Sequence, residues 1–362
     1  MLNAQPGIPD RDGVVHETSF VGTAMRNSRR LSYVPARLSM LPELLGTSLA
    51  PDVVIVTTSA PQEGTVSLGT EVNVLPAAIE SARRRGGVVI AEINPRVPYT
   101  YGDAELSTDM IDYAIEVDRP LASPPAITID DTAGQIGQRV ADRVADGATL
   151  QLGIGAVPDA ALHGLADRHG LRIWSEMISD GVLHLDRRGV LDRSVPVTTS
   201  FMFGSQELYA WVDRNPRVRM FRTEATNDPS RIGANERMVS INSALQVDLY
   251  GQVNAARVRG RIYSGFGGQT DFIVGALHSK GGQAIIALRS WHPKAGCSTI
   301  VPMVDEPVTS FQPTAVITEQ GTAEIFGRPE AVQMAELIER AAHPRVREEL
   351  WEEAAVLAGQ PL

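Results

Sequence analysis

Apolar positions along this chain fall into two patterns that alternate. Asp52-Val53-Val54-Ile55-Val56 and Gly87-Val88-Val89-Ile90-Ala91-Glu92-Ile93 are continuous β-branched runs, which read as buried strands of a parallel sheet. Between them, Val74 to Arg85 has the spacing of an amphipathic helix, ended by Gly86-Gly87. Beyond Asp118 the alternation resumes with a helix over 134–145, a strand over 148–152, a helix over 159–168 and a strand over 171–176. This succession of βαβ units predicts an α/β fold with mainly parallel sheets. Residues 330–342 and 345–358 read as two closing helices, with Pro344 at the start of the second. Asp118 to Pro125 is dense in proline and suits a connection, so the expected domains are residues 1–124 and 125–362.

Composition narrows the function. No apolar run approaches the ~20 residues of a membrane span, and a formal charge of −10 argues against a nucleic-acid footprint. The basic run Arg83-Arg84-Arg85 reads as a solvated helix end. Cys297 is the single cysteine, and the opening Met1 to Gly7 lacks the basic and apolar regions of a signal peptide, so a reducing cytoplasm is expected. The histidines occur neither as HExxH nor beside cysteine pairs, and no metal site is expected.

Two glycine clusters are the first candidates for chemistry. In Gln151-Leu152-Gly153-Ile154-Gly155-Ala156-Val157-Pro158-Asp159, Gly153 and Gly155 sit between a strand and a helix. Backbone can approach a ligand there and helix N–H groups can face an anion, which suits a phosphate or pantetheine cradle. Two rival readings are a purely structural turn and a dinucleotide fingerprint, with Glu176 placed as the ribose-binding acid 21 residues after Gly155. Pro158 replaces the third glycine of that fingerprint. The second cluster, Ser264-Gly265-Phe266-Gly267-Gly268-Gln269-Thr270-Asp271-Phe272, reads as an anion nest or oxyanion hole, or as a turn closing a hairpin. In Ser240 to Val253 the apolar Leu245, Val247 and Leu249 alternate with Gln246, Asp248 and Tyr250, so one strand face is polar.

Taken together, these segments resemble the acetyl-CoA hydrolase/transferase family of class I CoA-transferases, in the branch of the 4-hydroxybutyrate and succinyl-CoA:acetate CoA-transferases. The resemblance runs in order through Leu38-Ser39, Asn94-Pro95-Arg96, Gly153 to Pro158, Ser175-Glu176-Met177-Ile178-Ser179-Asp180-Gly181 and Asn227-Asp228-Pro229. It continues through Ser240 to Val253, Gly267-Gly268-Gln269, Thr318-Glu319-Gln320-Gly321 and Ala342-His343-Pro344. It implies two CoA-transferase-like α/β domains with the active site in the cleft between them, coenzyme A or an acyl-CoA as substrate, and no tightly bound cofactor. A homo-oligomer is expected on general grounds.

The resemblance also implies a ping-pong mechanism through a nucleophilic glutamate. It places that nucleophile in Ser240 to Val253, where this chain has Gln246, a carboxamide that cannot form an acyl anhydride. Three readings follow. Chemistry could belong to another carboxylate, first Glu176 and second Glu319; the protein could be a CoA-binding pseudoenzyme or subunit; or Gln246 could be an introduced substitution in an ordinary transferase. By the same resemblance, Thr223, Glu224, Ala225, Thr226, Asn227 and Gly321 contact CoA or line the oxyanion site. Gly267, Gly268 and Gln269 are implied to face the same cleft. Relatives of this kind carry further residues before the region matching Met1, which implies an exposed edge or a subunit contact on the first sheet.

Overall fold

The computed structural model describes residues 7–124, 128–153 and 155–357. Met1 to Pro6, Pro125, Ile154 and Ala358, which figure in the readings above, lie outside the described residues. Two parallel sheets organise the chain. The first orders β1 (Val53–Thr58), β2 (Val88–Ile93) and β3 (Tyr113–Glu116), all parallel. Helix α1 (Leu75–Arg84) follows from the amphipathic run, buries Ala78, Ile79 and Ala82, and packs on β1 and β2.

The larger sheet has β4 (Thr149–Leu152), β5 (Arg172–Ile173), β6 (Met238–Asn242), β7 (Gln283–Ala287), β8 (Ala315–Ile317) and β9 (Thr322–Glu324), in the spatial order β5-β4-β6-β7-β8-β9. Only β9 runs antiparallel to its neighbour. Every residue of β4, β6 and β8 is buried, as parallel strands covered on both faces should be. Helices α2 (Asp131–Asp142) and α3 (Ala156–Gly164) pack closely against each other. Gly137 makes this possible, since a Cβ there would lie 2.5 Å from the backbone of Ala160. One hydrophobic cluster joins the two halves, running from Val54 through Ile136 and Leu150 to Ile317.

The expected elements form, with three corrections. The run 52–56 is not buried on both faces: Val54, Val56 and Thr58 point inward, while Val53 and Ile55 are 50% and 72% exposed. Tyr113 and Ile115 on β3 are exposed on that sheet too, because α1 covers only one side. Helix α2 begins three residues earlier than its apolar spacing indicates, because Asp130 caps it, accepting a hydrogen bond from Ala133 N at 2.9 Å. The strand expected over 171–176 shortens to β5, and the chain bends away at Ser175 to reach the site described next.

Candidate active site

The site forms where the segment after β5 meets the second glycine cluster. Ser175, fully buried, donates through its hydroxyl to Met177 O at 2.6 Å and accepts from Leu152 N at 3.2 Å, tying the end of β4 to the next turn. Glu176 is thereby held by its backbone: its carbonyl accepts from Ser200 N at 3.0 Å and Phe201 N at 2.9 Å. Its side chain reaches the wall of a cavity of about 1160 Å³ that opens between the first sheet and the larger one. This is the crevice beyond the carboxyl ends of parallel strands, the usual ligand position in open α/β sheets.

Two groups frame the Glu176 carboxylate. Asn227 Nδ2 donates to Oε2 at 2.7 Å, and the amide is oriented in turn by Thr226, whose hydroxyl donates to Asn227 Oδ1 at 2.9 Å. On the other side is Gly268, where an added Cβ would stand 1.5 Å from Glu176 Oε2 and 2.4 Å from Asn227 Nδ2. Position 268 therefore has to be glycine for the carboxylate to occupy this place. Gly268 also caps helix α4 (Gln269–His278), at whose first turn backbone N–H groups have no partner within the helix.

Asp271, on that first turn, is fully buried and accepts from Ser39 N at 3.1 Å and Ser39 Oγ at 2.7 Å, with Arg37 Nη1 at 3.6 Å. Burial raises the Asp271 pKa above the ordinary value, and the contacts with Ser39 and Arg37 oppose that rise. Leu38 N donates to Gly267 O at 2.9 Å and Val21 N to Ser264 O at 2.7 Å, so two N-terminal segments clamp the glycine loop. Desolvation pushes Glu176 up to about 7; the Asn227 hydrogen bond resists the shift, and the nearby Asp271 adds to it.

The sequence-based candidates divide sharply. Glu176, Asn227, Gly268 and Gln269 come together, and Gly153 and Gly267 share the cavity wall. Thr223, Ala225 and Thr226 form the buried turn that carries Asn227, whereas Glu224 points outward to an ion pair with Arg222 at 2.9 Å. Gly155 starts α3 with φ +124° and leaves room for a side chain, so it serves the turn and lies off the cavity wall. Gly321 packs against Arg340 O, and Glu319 is occupied by the backbone N–H of Ser290 at 2.9 Å and its hydroxyl; both stand away from the cavity.

Gln246 is not among the residues that line the cavity, although its neighbours Ser243 and Ala255 are. It begins a short strand, Gln246–Asp248, pairs with Asn254, and accepts from Asn254 Nδ2 at 3.3 Å. The polar face of this strand has another purpose. Asp248 is fully buried and accepts from Tyr250 N, Gln252 N and Val304 N at 3.1, 2.8 and 3.0 Å, which fixes the turn at 249–252. The alternation identified a real strand face but not what lies opposite it. The sequence does not reveal Asp271 and Ser39 as partners: Ser39 falls in a segment carrying the family resemblance and Asp271 in the second glycine cluster, but nothing local ties residue 39 to residue 271.

No helix among the described residues is long and apolar enough to cross a membrane, and no group of three or more metal-ligating side chains occurs among them. Residues 10–123 match the acetyl-CoA hydrolase/transferase N-terminal domain, and residues 204–354 match the corresponding C-terminal domain. The chain is 39% identical over 353 residues to the 4-hydroxybutyrate coenzyme A transferase of Clostridium kluyveri, covering 93% of this chain and 81% of that protein. It is 35% identical to the succinyl-CoA:acetate/propanoyl-CoA:succinate CoA transferase of Fasciola hepatica, covering 94% and 74%. Among solved structures it resembles RipA from Yersinia pestis, with TM-score 0.89, 32% identity and coverage of 95% and 82%. A 4-hydroxybutyrate CoA-transferase from Porphyromonas gingivalis gives TM-score 0.79, 35% identity and coverage of 91% and 81%. None of these matches supports the dinucleotide-dependent alternative. With both domain profiles matched in order and relatives alike over most of their length, the chain belongs to the acetyl-CoA hydrolase/transferase family.

Proposed function

We propose that the protein transfers coenzyme A between small carboxylic acids, with Glu176 as the nucleophile and hydrolysis as the outcome when water replaces the acceptor. The observation that carries this reading is the Glu176 carboxylate at the cavity wall, set between Asn227 Nδ2 and a glycine that leaves it room. A carboxylate with a pKa of about 7 is more basic than an ordinary glutamate yet half ionised near neutrality, a combination that favours attack on a thioester.

In this reading a Glu176 oxygen adds to the acyl-CoA carbonyl carbon, the C–S bond breaks, and the CoA thiolate leaves with the electron pair. An acyl-glutamyl anhydride remains. The thiolate then adds to the glutamyl carbonyl and expels the first acid as its carboxylate, leaving a glutamyl-CoA thioester. An acceptor carboxylate repeats the two steps in reverse, regenerating Glu176; water instead releases free CoA. Asn227 Nδ2 and the N–H groups at the start of α4 are the donors near the place where negative charge develops on oxygen. The exposed apolar face with Val53, Ile55, Tyr113 and Ile115 supports the further reading of a homo-oligomer.

A pH profile tests the proton assignment. Because only the ionised carboxylate attacks, kcat/KM should rise about tenfold per pH unit at low pH and level off around pH 7. A limb that levels off near pH 4.5 would contradict the raised pKa. Substitution at 246 separates the two candidate positions. With Glu176 as the nucleophile, the variant Gln246→Glu should change turnover by no more than about threefold, since residue 246 is not among those that line the cavity. A large gain in thiol release from acetyl-CoA would move the chemistry to that strand.

A further inference from the structure

Asn73 has an unusual combination of properties that neither the proposed chemistry nor the fold uses. Its backbone is left-handed, with φ +43°, and its side chain is 4% exposed. It lines the same cavity as Glu176, and its Oδ1 has no hydrogen-bond partner. An asparagine in a left-handed turn is commonplace when its side chain hydrogen-bonds the turn itself. That explanation fails here, because the carboxamide oxygen is left unbonded while the backbone is fully engaged: Asn73 N donates to Ser200 O at 3.1 Å and Asn73 O accepts from Thr223 N at 3.0 Å. A buried, unbonded amide oxygen is costly until a bound group supplies its partner.

The same backbone bonds fix how far this group is from the nucleophile. Asn73 pairs with Ser200, whose N–H donates to the carbonyl of Glu176, so residue 73 lies two strand spacings from residue 176. That is roughly 10 Å between Cα atoms at ~4.8 Å per strand, a gap that a glutamate side chain, a short acyl chain and an asparagine side chain span together. Beside Asn73, Ser200 Oγ is likewise fully buried and unpartnered, a second polar atom on this segment without a bond.

We propose that the Asn73 carboxamide is a specificity-determining contact that receives a hydroxyl or carboxyl group carried at the far end of the acyl chain. This rests on the reading of Glu176 as the residue that carries the acyl group. The amide presents an acceptor and a donor, and exchange of its O and N by rotation suits a hydroxyl or a carboxylate equally. An acyl chain ending in a methyl group leaves the amide unbonded, so the site favours the oxygen-bearing acid.

The test uses Asn73→Gly, which keeps the left-handed backbone and removes the carboxamide. With 4-hydroxybutyryl-CoA, kcat/KM should fall about 10- to 100-fold, while with butyryl-CoA it should change less than about threefold. Equal losses on both substrates, or no loss on either, would overturn the proposal. Calorimetry in the Glu176→Gln protein, which does not turn over, gives a reading independent of activity. There the hydroxyl-bearing thioester should bind about tenfold more tightly than butyryl-CoA, and adding Asn73→Gly should erase the difference. If the two thioesters bind equally before Asn73 is changed, the proposal fails alone; if neither binds, the acyl-CoA reading fails and takes this one with it.

Discussion

Glu176→Ala and Glu176→Gln should each lower thiol release from acetyl-CoA, with or without acetate, by on the order of 10³-fold or more. Alanine removes the nucleophilic oxygen. Glutamine keeps the shape and the hydrogen bond with Asn227 but cannot form an anhydride at ordinary pH. The same substitution should make the protein more stable in alkali. Glu176 has its pKa raised to about 7 in the folded state, from 4.5, so the folded chain holds its proton more tightly than the unfolded chain does. Stability is therefore greatest below about pH 4.5 as far as this group is concerned, and declines as pH rises through 7. Glutamine never ionises and escapes that loss, so Glu176→Gln should melt at a higher temperature than the parent at pH 8 and show a smaller difference at pH 5. An inactive variant that is also more stable is the pattern of a group strained for function. Loss of activity together with a lower melting temperature at both pH values would instead mark Glu176 as a structural residue.

Gly268→Ala should be nearly as damaging, by a different route. Its methyl group would stand 1.5 Å from Glu176 Oε2 and 2.5 Å from the carboxyl carbon, so either the carboxylate or the start of α4 must move. A displacement of about 1 Å at a reacting atom costs on the order of 10²-fold in rate. We expect kcat for thiol release to fall by that factor or more. The glycine itself has an ordinary backbone, and the demand on it is purely one of space. Gly267, by contrast, needs its left-handed φ of +56° and lies against Phe20, so substitution there should affect folding of the loop before it affects chemistry. Full activity in Gly268→Ala would mean that the carboxylate does not work from the position described here.

The strands and helices that position this site were legible because burial on both faces leaves a strong mark. The run at 148–152 becomes β4, fully buried, and Gly153 in the turn after it lines the cavity. Reading 52–56 as covered on both faces failed because a continuous β-branched run does not say whether a second layer is present over it. Glu176 could be named as a candidate carboxylate only through the family resemblance, since its spacing from Gly155 alone suited a ribose-binding acid equally. What could not be read was which side chains surround it. Period-two alternation gives each residue a face but not a neighbour, and the neighbours that matter, Asn227 and Gly268, come from segments 51 and 92 residues downstream. Asp248, an acid on that polar stripe, holds a turn. Asn73 left no local signal at all, because a left-handed backbone and a cavity wall exist only once the chain has folded.

As the nucleophile, Glu176 would become covalently joined to coenzyme A in each turnover. This is tested most directly by incubating the protein with acetyl-CoA, digesting it rapidly under acidic conditions that preserve thioesters, and mapping the adduct by mass spectrometry. A CoA adduct should appear on the peptide containing Glu176, be removed by added acetate and be absent from Glu176→Gln. Turnover with an adduct on another carboxylate, such as Glu319, or turnover with no enzyme-bound CoA in any peptide, would contradict it.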